Sequence, residues 1–347
     1  MISTTHASAG TGRIVCFGEL LLRLSAPGKE LPFQSPVLQA HFGGAEANVA
    51  ASLAILGHRS VMVSALPDNA IGHACAGELR RHGVDTSGIR FADGRMGLYF
   101  LAHGAMQRPA DVIYDRAGSV FATTPPDAWD WPRLLDGARW LHLCGINCAL
   151  GETAARAALL AVRAARAADV AVSFDCNHRG KLWGARTAQA PALLRELFAE
   201  AELLFGNERD IALVFGGEFR HNDGEQRFLA ASQLAFGNLP RLRWMASTER
   251  QVLEADTHEL RAHLATREHV LTTRAHRLTG IVDRIGAGDA FAAGLLHGLI
   301  SGMHQPAALD FAVAAACLKH SVCGDVNLLR EADMLAFLAE DGRDVQR

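Results

Sequence analysis

The segment 283–294 contains the residues of this chain that are best suited to chemistry. Its sequence is DRIGAGDAFAAG, a small-residue turn followed by a carboxylate and a helical pattern. The turn residues are Gly286, Ala287 and Gly288, and the carboxylate belongs to Asp289. Because the first N–H groups of a helix have no partner inside it, such a turn can bind an anion. A carboxylate at its edge could accept the proton of a hydroxyl during phosphoryl transfer.

An ordinary structural role would explain the same residues. Asp is a good helix N-cap residue, and glycine is common in turns that precede helices. The segment also differs from the dinucleotide-binding fingerprint, since Phe291 replaces the third glycine and the segment lies near the C-terminus. The chemical interpretation therefore depends on a second motif elsewhere in the chain.

That second motif is the segment 43–57, GGAEANVAASLAILG. Its two glycines precede a predicted helix over residues 45–56, and Gly57 is suited to cap the C-terminus of that helix. Asn48 falls on the first helical turn, where its amide could reach a ligand at the helix N-terminus. A glycine turn followed by a surface asparagine is the alternative interpretation.

Together, Gly-Gly-x-x-x-Asn at 43–48 and Gly-Ala-Gly-Asp at 286–289 resemble the two signatures of the ribokinase-like (phosphofructokinase-B) carbohydrate kinases. The resemblance extends from about residue 14 to residue 327. It implies an α/β sandwich with a β-sheet lid, ATP as the phosphoryl donor, and Mg²⁺ on the nucleotide phosphates. It also implies that Asp289 is the general base and that the Gly-Ala-Gly turn forms the anion hole.

Size and composition are typical of one large α/β domain. The chain has 347 residues, of which 49% are hydrophobic and 20% are charged, and its net charge is −3. Dispersed Lys and Arg give no footprint for nucleic acid, and no apolar run is long enough to cross a bilayer. Seven scattered cysteines without C-x-x-C spacing favour buried thiols over zinc ligands. We therefore expect a reduced, cytoplasmic protein with a disordered tail at 1–12, a kinase domain at 13–347, and neither nucleic-acid nor membrane partners.

The order of predicted elements favours an α/β fold with a doubly wound, mainly parallel sheet and flanking helices. From residue 139 onward strands alternate with helices, as they do in such sheets. The predicted strands are 14–17, 20–24, 60–65, 97–102, 112–121, 139–144, 170–174, 202–205 and 241–246. The predicted helices are 45–56, 70–82, 152–167, 189–200, 225–235 and 289–297. We expect the small β-sheet lid to be inserted at about 19–41 and 94–124.

Side chains on the lid and beyond one middle strand indicate the class of acceptor. Tyr99, Tyr114 and Arg116 fall on predicted lid strands. Arg179 follows a predicted strand end, where open α/β sheets bind ligands. Two arginines near tyrosine hydroxyls would suit a carboxylate, whereas a neutral sugar has no use for two guanidinium groups. A surface ion pair is the alternative interpretation for each arginine.

Five short motifs, all in order, resemble the branch of the family that phosphorylates 2-keto-3-deoxygluconate, a linear sugar acid. They are GGAEAN at 43–48, GLY at 97–99, YDRAGS at 114–119, FDCNHR at 174–179 followed by Leu182-Trp183, and KHSVCGDVN at 319–327. The substrate contacts that the resemblance implies are Gly43, Gly44, Ala45, Glu46, Ala47, Asn48, Tyr99, Tyr114, Arg116 and Arg179. The nucleotide contacts that it implies are Asn177, Asn207, Ser247, Gly286, Ala287, Gly288 and Asn327.

Three positions depart from the family pattern. Arg284 stands where many relatives have Thr, and Asp210 replaces the Glu of an Asn-x-x-Glu motif that begins at Asn207. Residues 247–249, Ser-Thr-Glu, replace a glycine-rich loop on the adenine side. The shorter Asp210 could weaken a water-mediated magnesium contact, and we assign no direct metal ligand to the protein. The nucleotide-base contacts are therefore the least defined part of the expected site.

Other functions stay open at this stage. One is a kinase of the same fold for fructose or another neutral sugar, and another is a non-catalytic sugar-acid sensor. The galactonate epimer is not distinguished from the gluconate, since the orientation of one hydroxyl decides between them. Apolar lid strands would expose their edges unless they were paired, so we expect a homo-oligomer that forms through the lid.

Overall fold

The computed structural model of the protein describes residues 12–339. The predicted tail at 1–12 therefore lies, apart from Gly12, outside the described residues, as does the end of the predicted kinase domain at 340–347. The described chain forms one large sheet and one separate four-stranded sheet.

The strands alternate with helices along most of the chain. In chain order the strands are β1 (Arg13–Phe17), β2 (Leu21–Ser25), β3 (Gln39–Gly43), β4 (Ser60–Pro67), β5 (Asp85–Ala92), β6 (Gly97–Ala102), β7 (Asp111–Asp115), β8 (Ala138–Cys144), β9 (Ala171–Asp175), β10 (Leu203–Phe205), β11 (Trp244–Glu254), β12 (Thr257–Ala265), β13 (Val270–Thr272) and β14 (His276–Thr279). The helices are α1 (Ala45–Ile55), α2 (Ala70–Arg81), α3 (Val120–Thr123), α4 (Trp131–Leu134), α5 (Ile146–Ala149), α6 (Glu152–Ala167), α7 (Gly180–Trp183), α8 (Ala190–Glu200), α9 (Glu208–Phe215), α10 (Gly224–Asn238), α11 (Ala287–Ile300), α12 (Gln305–Lys319) and α13 (Glu331–Ala339).

The large sheet has the strand order β13-β12-β11-β10-β9-β8-β1-β4-β5, and β14 also pairs with β12. Pairing is parallel from β5 across to β11, and β12 is antiparallel to each of its neighbours. Parallel strands need crossover connections, which the helices supply on both faces. The predicted doubly wound, mainly parallel sheet is confirmed.

Two hydrophobic cores lie on the two faces of this sheet. Strand β1 contributes side chains to both cores, because successive side chains of a strand point to opposite faces of the sheet. Val15 and Phe17 pack into the core that contains α6, α8, α9 and α10. Ile14 and Cys16 pack into the other core, with α1, α2, α11 and α12. A run of apolar residues buried on both sides is typical of a central parallel strand.

The separate sheet, which we call the lid, has the strand order β3-β2-β6-β7. Arg23 on β2 pairs with Tyr99 on β6, and Tyr99 pairs with Tyr114 on β7. These three side chains therefore form a row across one face of the lid. Leu21, Tyr99 and Leu101 form a small apolar cluster on the same face.

Some predicted elements match the structure and others do not. The strand 97–102 and the Ala-rich helix 152–167 are confirmed at both ends. The predicted strand 112–121 is too long, because β7 ends at Asp115 and Ser119 caps a short helix by accepting a hydrogen bond from the Ala122 N–H at 3.2 Å. The predicted strand 241–246 begins at Trp244 and continues to Glu254, since it pairs with β12 along its length.

Candidate active site

A pocket of about 760 Å³ lies between the lid, the carboxyl ends of the parallel strands β9 and β10, and the start of α11. Ligands bind at this edge of open α/β sheets. The predicted site residues that line the pocket are Gly44, Ala45, Asn48, Tyr99, Tyr114, Arg116, Asn177, Arg179, Asn207, Ser247, Gly286, Ala287, Gly288 and Asp289. The fold thus brings together most of the residues that the two distant motifs and the lid motifs supply.

The turn before α11 has one closed side and one open side. Gly286 caps the helix with φ 81°, a left-handed conformation that favours glycine. A Cβ at Gly286 would also overlap the carbonyl oxygen of Asp325, which closes that side. At Gly288, no heavy atom lies within 4 Å of the position of a Cβ, so this side is open to the pocket. The first-turn N–H groups of Gly288 and Asp289 have no acceptor within the helix, which suits an anion.

Asn48 holds the carboxylate of Asp289. The Asn48 Nδ2 donates a hydrogen bond to Asp289 Oδ2 at 2.6 Å, although the two residues are 241 positions apart. Asn48 is 3% exposed, and its Oδ1 has no hydrogen-bond partner in the described structure. A buried acceptor without a partner is costly unless a ligand supplies a donor. Asn48 therefore fixes the carboxylate on one side and can accept from a ligand on the other.

Burial makes Asp289 a better base than an exposed carboxylate. Loss of solvent raises its pKa to about 6, while the hydrogen bond from Asn48 acts in the opposite direction. The helix N-terminus would favour the ionised form, but burial has the larger effect. Asp289 is thus still mostly ionised at pH 7, with a pKa well suited to proton transfer near neutral pH.

Asp175, on β9 at the other side of the pocket, is also perturbed. Its pKa is raised to about 8, chiefly by burial and also by the charge of Asp289, whereas the charge of Arg179 acts in the opposite direction. The Asn177 N–H donates to Asp175 Oδ1 at 3.0 Å. Two carboxyl groups whose charges oppose each other in one pocket favour protonation of one of them.

A buried ionic cluster connects the lid to the turn before α11. Arg23 is fully buried on β2, and its two terminal nitrogens bind Asp283 Oδ2 at 2.5 Å and Asp325 Oδ1 at 2.9 Å. Burial alone would lower the pKa of Arg23, but the charges of the two carboxylates raise it. Asp283 in turn accepts hydrogen bonds from the Ile285 and Gly324 N–H groups at 3.0 and 3.1 Å. The cluster therefore fixes both backbone segments that shape the anion site.

Two further side chains complete this cluster. The Tyr99 hydroxyl donates to Asp325 Oδ2 at 2.5 Å, so a lid residue predicted to bind substrate also holds the frame of the site. Lys319 is fully buried and donates to the Val322 carbonyl at 2.9 Å. Burial lowers its pKa, and the charges of Asp283 and Asp325 act against that change.

Arg116 is already paired inside the protein. Its Nε donates to Glu19 Oε2 at 2.7 Å, and the Ser119 hydroxyl also donates to this carboxylate. Glu19 and Arg116 are 3% and 7% exposed, respectively, so the pair is shielded from water. Gly97 leaves room for Glu19, since a Cβ there would come within 2.6 Å of Glu19 Oε1. The lid motifs Gly-Leu-Tyr and Tyr-x-Arg-x-Gly-Ser thus serve a buried ion pair as well as the pocket.

Arg179 is in the opposite situation. It follows β9, is exposed, and lines the pocket. Within residues 12–339 no carboxylate lies within ion-pair distance of it. Its charge nevertheless lowers the pKa of both Asp175 and Asp289. Of the two predicted carboxylate-binding arginines, Arg179 is the one whose charge is free for a ligand.

The nucleotide-side residues have local structural contacts. Asn207 caps α9 by accepting from the Arg209 N–H at 2.8 Å, and the Asn207 N–H donates to Asp210 Oδ2 at 2.9 Å. This capping box explains why an acid follows Asn207 at this spacing. Ser247 lies within β11, where its hydroxyl donates to the Thr248 carbonyl at 3.4 Å. The segment 247–249 is therefore a strand, whereas the sequence indicated a substitute for a loop.

Four predicted contacts do not line the pocket. Gly43 packs against the Asp325 side chain, and Ala47 lies in the core beside α11. Glu46 points into the interior, where its Oε1 accepts from the Cys144 N–H at 2.9 Å, and burial raises its pKa to about 7. Asn327 is buried and accepts from the Leu329 N–H at 3.3 Å. Each supports the frame of the site in this structure.

The donor set of the pocket fits a nucleotide polyphosphate better than a bare metal ion. Within the described residues, no three His, Cys, Asp or Glu side chains come together as a metal site. A magnesium ion takes most of its ligands from phosphates and water when few protein carboxylates are available. The open Gly288 side of the turn and the first-turn N–H groups provide the space and the donors that a phosphate needs.

Sequence patterns missed several residues of the site: Glu19, Arg23, Asp283 and Lys319. The sequence indicates a role for Arg23 only weakly, because a single arginine within an apolar strand is equally typical of a strand at the edge of a sheet. Asp283 could have been suspected, since a carboxylate that precedes a glycine turn often binds backbone N–H groups. The partners of Glu19 and Arg23 lie too far away in sequence to be inferred from spacing.

The geometry agrees with a comparison against known families. The model of the pfkB family of carbohydrate kinases matches residues 11–277 and 268–331. The chain belongs to this family. It is 33% identical to a 2-dehydro-3-deoxygalactonokinase of Haloferax volcanii over 316 residues, which cover 91% of this chain and 93% of the relative. It is 27% identical to the probable chloroplastic fructokinase-6 of Arabidopsis thaliana over 338 residues, covering 94% and 82% of the two chains.

A solved structure supports the same assignment. The 2-dehydro-3-deoxygluconokinase of Thermotoga maritima superposes with a TM-score of 0.90 at 34% identity, covering 94% of this chain and 99% of the other. The protein is therefore a carbohydrate kinase with a ribokinase-like fold. In residues 12–339, no helix is both long enough and apolar enough to cross a membrane.

Proposed function

We propose that the enzyme transfers the γ-phosphoryl group of ATP to the terminal hydroxyl of 2-keto-3-deoxygluconate, which yields the 6-phosphate. One observation carries the proposal. The same pocket contains the half-buried carboxylate of Asp289 at a helix N-terminus, the lid tyrosines and the unpaired Arg179. A base, an anion site and a free cation are the three features that transfer to a sugar acid requires.

In this mechanism Asp289 accepts the proton of the terminal hydroxyl while the hydroxyl oxygen bonds to the γ-phosphorus. The bond between that phosphorus and the oxygen of the departing ADP breaks in the same step. Asn48 keeps the carboxylate in position through its 2.6 Å hydrogen bond. The N–H groups of Gly288 and Asp289, at the positive end of α11, stabilise the charge on the transferring phosphoryl group.

Bound Mg²⁺ would offset the remaining charge of the nucleotide phosphates. Asn207 and Asp210 line the pocket and are the candidates for binding its water ligands. Asn177 and Ser247 also line the pocket and are the candidates for further nucleotide contacts. Closure of the lid over both substrates would exclude water, which favours transfer to the sugar over hydrolysis.

The acid class of the acceptor is supported by charge. Arg179 has no carboxylate partner in the described structure, and Tyr99 and Tyr114, which are paired with each other in the lid, line the same pocket. The charge of Arg116 is offset by Glu19, so Arg116 contributes its remaining N–H donors and not a net charge. The two relatives at 33% and 34% identity are named for 2-keto-3-deoxy sugar acids, which differ from each other in the orientation of one hydroxyl.

A neutral sugar such as fructose is the second candidate acceptor. The pairing of Arg116 with Glu19 favours it, because only one free arginine then remains for a carboxylate. The 27% identity to a probable fructokinase points in the same direction, at a greater evolutionary distance. The sugar-acid proposal assigns the unpaired Arg179 to the carboxylate of the acceptor, whereas under the neutral-sugar proposal its charge would be left for the phosphates of the donor.

An ADP-release assay with 2-keto-3-deoxygluconate, its galactonate epimer and fructose decides between these acceptors. The sugar acids should have the higher kcat/KM. Arg179→Met should lower kcat/KM for the acids about tenfold to a hundredfold, since a charge-assisted hydrogen bond is lost. Turnover of fructose should be unchanged by the same substitution. Arg277→Met, an exposed arginine of β14 outside the pocket, is the matched control.

Preference of the wild-type enzyme for fructose, or an equal loss for both substrates in Arg179→Met, would contradict the sugar-acid proposal. Arg116→Met gives an independent contrast. Because it leaves the buried carboxylate of Glu19 without a counter-ion, we expect it to lower stability strongly and to affect acid and neutral substrates alike.

We also propose that two copies associate through the outer face of the lid. Leu24, Phe100 and Ile113 are paired across β2, β6 and β7 on that face, and Ile113 is 54% exposed. A continuous apolar row beside the open edges of a sheet favours burial against a second lid. Sedimentation analysis should give a dimer that Ile113→Glu dissociates, and a monomeric wild type would exclude it.

A further inference from the structure

Four arginines that line the pocket have no counter-ion in the described part of the chain: Arg179, Arg209, Arg250 and Arg284. No carboxylate lies within 4 Å of their guanidinium nitrogens. Other arginines nearby behave differently, since Arg227 and Arg261 both pair with Glu249. A protein that leaves several like charges unpaired in one cleft attracts anions into it.

The strand β11 directs Arg250 to the side of the sheet on which α11 begins. Side chains at alternate positions share a face, so Ala246, Thr248 and Arg250 point the same way. Ala246 packs in the core with Phe291 of α11, and Leu260, which is paired with Arg250, packs there too. By contrast, Glu249 lies on the opposite face and pairs with arginines on that side.

Arg284 reaches the pocket from the other direction. It directly precedes the anion turn, and its carbonyl accepts a hydrogen bond from the Ala287 N–H at 3.3 Å, so its backbone is part of the turn. Arg284 and Arg250 act on each other electrostatically. Burial lowers the pKa of Arg250, and the positive charges of Arg284 and Arg179 lower it further. Arg250 and Arg284 therefore line one pocket from different segments of the chain, close enough for their charges to act on each other.

We propose that Arg250 and Arg284 bind the polyphosphate chain of the nucleoside triphosphate and align it on the N-terminus of α11. The inference rests on the proposed function, since it requires a nucleoside triphosphate as donor. Each guanidinium can bind two phosphate oxygens, and an anion between the two groups removes their mutual repulsion. Arg284 thus gives a charged, bidentate contact from the segment that leads into the turn at 286–288.

Nucleotide binding by calorimetry tests the inference without the sugar. The variants are Arg250→Met, Arg284→Met and the double substitution, with Arg277→Met as the control. The probes are the magnesium complexes of ADP and of a non-hydrolysable ATP analogue, together with AMP. Each single variant should bind ADP and the ATP analogue about tenfold to a hundredfold more weakly, since one charge-assisted contact is lost. AMP, which lacks the outer phosphates, should bind all variants about equally well.

Three additional variants address folding and charge. Thermal unfolding identifies any variant that is not folded, and for such a variant Arg250→Lys or Arg284→Lys replaces Met. These lysine variants should recover part of the affinity, because the charge remains and only the bidentate geometry is lost. Arg284→Thr should behave like Arg284→Met, since a hydroxyl does not replace the charge.

The results separate this inference from the proposed function. If the double variant binds the ATP analogue within about twofold of the wild type, or loses AMP affinity to the same extent, the two arginines do not bind the polyphosphate chain. If the wild type binds the analogue but phosphorylates no sugar acid, the proposed acceptor is wrong while the arginine contacts can still be measured. Failure of the wild type to bind either nucleotide would overturn both.

Discussion

The pocket has two halves that differ in how their charges are balanced. In the paired half, Arg23 binds Asp283 and Asp325, and Asn48 binds Asp289. In the open half, Gly288, Arg179, Arg250 and Arg284 face the pocket without such partners. The first arrangement holds the backbone in place before any ligand arrives, and the second leaves positive charge and space for ligands that carry the balancing negative charge. An arginine with buried carboxylate partners therefore holds the backbone around a site, whereas an arginine without such partners is available to bind a ligand.

Asp289 lies on the boundary between the halves, and its replacement should have the largest effect on activity. Asp289→Asn keeps the shape and an acceptor for the Asn48 hydrogen bond but removes the base. We expect kcat to fall about 10²–10⁴-fold with nucleotide affinity retained. The variant should also be more stable than the wild type at pH 7, because burial opposes the charge of the wild-type carboxylate. Stopped assays measure kcat, titration calorimetry measures nucleotide affinity, and urea unfolding measures stability. Near-normal turnover would remove Asp289 from the mechanism.

Arg23→Met should damage the paired half itself. It leaves two buried carboxylates without their cation, which costs about 3–5 kcal/mol of the free energy of unfolding. The control is Arg163→Met, whose partner Glu196 lies 2.9 Å away on the surface, so the expected cost is below about 1 kcal/mol. Urea unfolding measures both. Similar small losses in the two variants would show that the buried cluster is not a structural frame.

Gly288→Val should damage only the open half. The Cβ position is free of neighbours, so we expect the free energy of unfolding to change little, by about 1 kcal/mol for the helix propensity of Val near a helix start. The side chain would occupy the space of the phosphate, and we expect kcat/KM for ATP to fall about a hundredfold. Gly286→Ala is the contrasting variant, because its Cβ meets the Asp325 carbonyl and the turn itself must distort. Equal activity in Gly288→Val and the wild type would show that the turn is only a helix cap.

The pH dependence of kcat/KM tests the role of Asp289 without any substitution. The base must be ionised, and the pKa of Asp289 is raised to about 6. Therefore kcat/KM should fall about tenfold per pH unit below 6. The stability contribution has the opposite sign. The folded state binds this proton more tightly than the unfolded state does, so the contribution is fully present below the unfolded pKa and is lost as the pH rises through about 6. Activity that stays constant down to pH 5 would contradict this assignment.

Sequence patterns predicted the open half better than the paired half. The turn at 286–288 and the carboxylate that follows it are adjacent in sequence, and the second motif at 43–48 favoured a ligand site over an ordinary helix cap. Asn48 was correctly located at a helix start, but its contact with Asp289 depends on how α1 and α11 pack, which spacing along the chain does not encode. For the same reason Arg116 was interpreted as a free cation, since nothing near it in sequence indicates the carboxylate of Glu19.

The fold was predicted where local periodicity decides the structure. Alternating strands and helices from β8 to β10 gave the parallel sheet, and the Ala-rich α6 was correct at both ends. The antiparallel edge was missed because polar residues of β11 read as a loop, whereas pairing with β12 keeps them extended. The end of β7 was misjudged because β-branched residues favour a strand, while the Ser119 cap starts a short helix that tertiary packing completes.

The ionic cluster around Arg23 also constrains how the protein folds. Arg23 is 260 residues from Asp283 and 302 residues from Asp325, and Asn48 is 241 residues from Asp289. Contacts between the two ends of a chain form late, because long loops must close first. During synthesis the lid strand β2 emerges early and must wait for both carboxylates. A chain that stops before Asp325 therefore holds an arginine without its full complement of acids and an unfinished anion site, so phosphoryl transfer can begin only after Asp325 has been added and has bound Arg23.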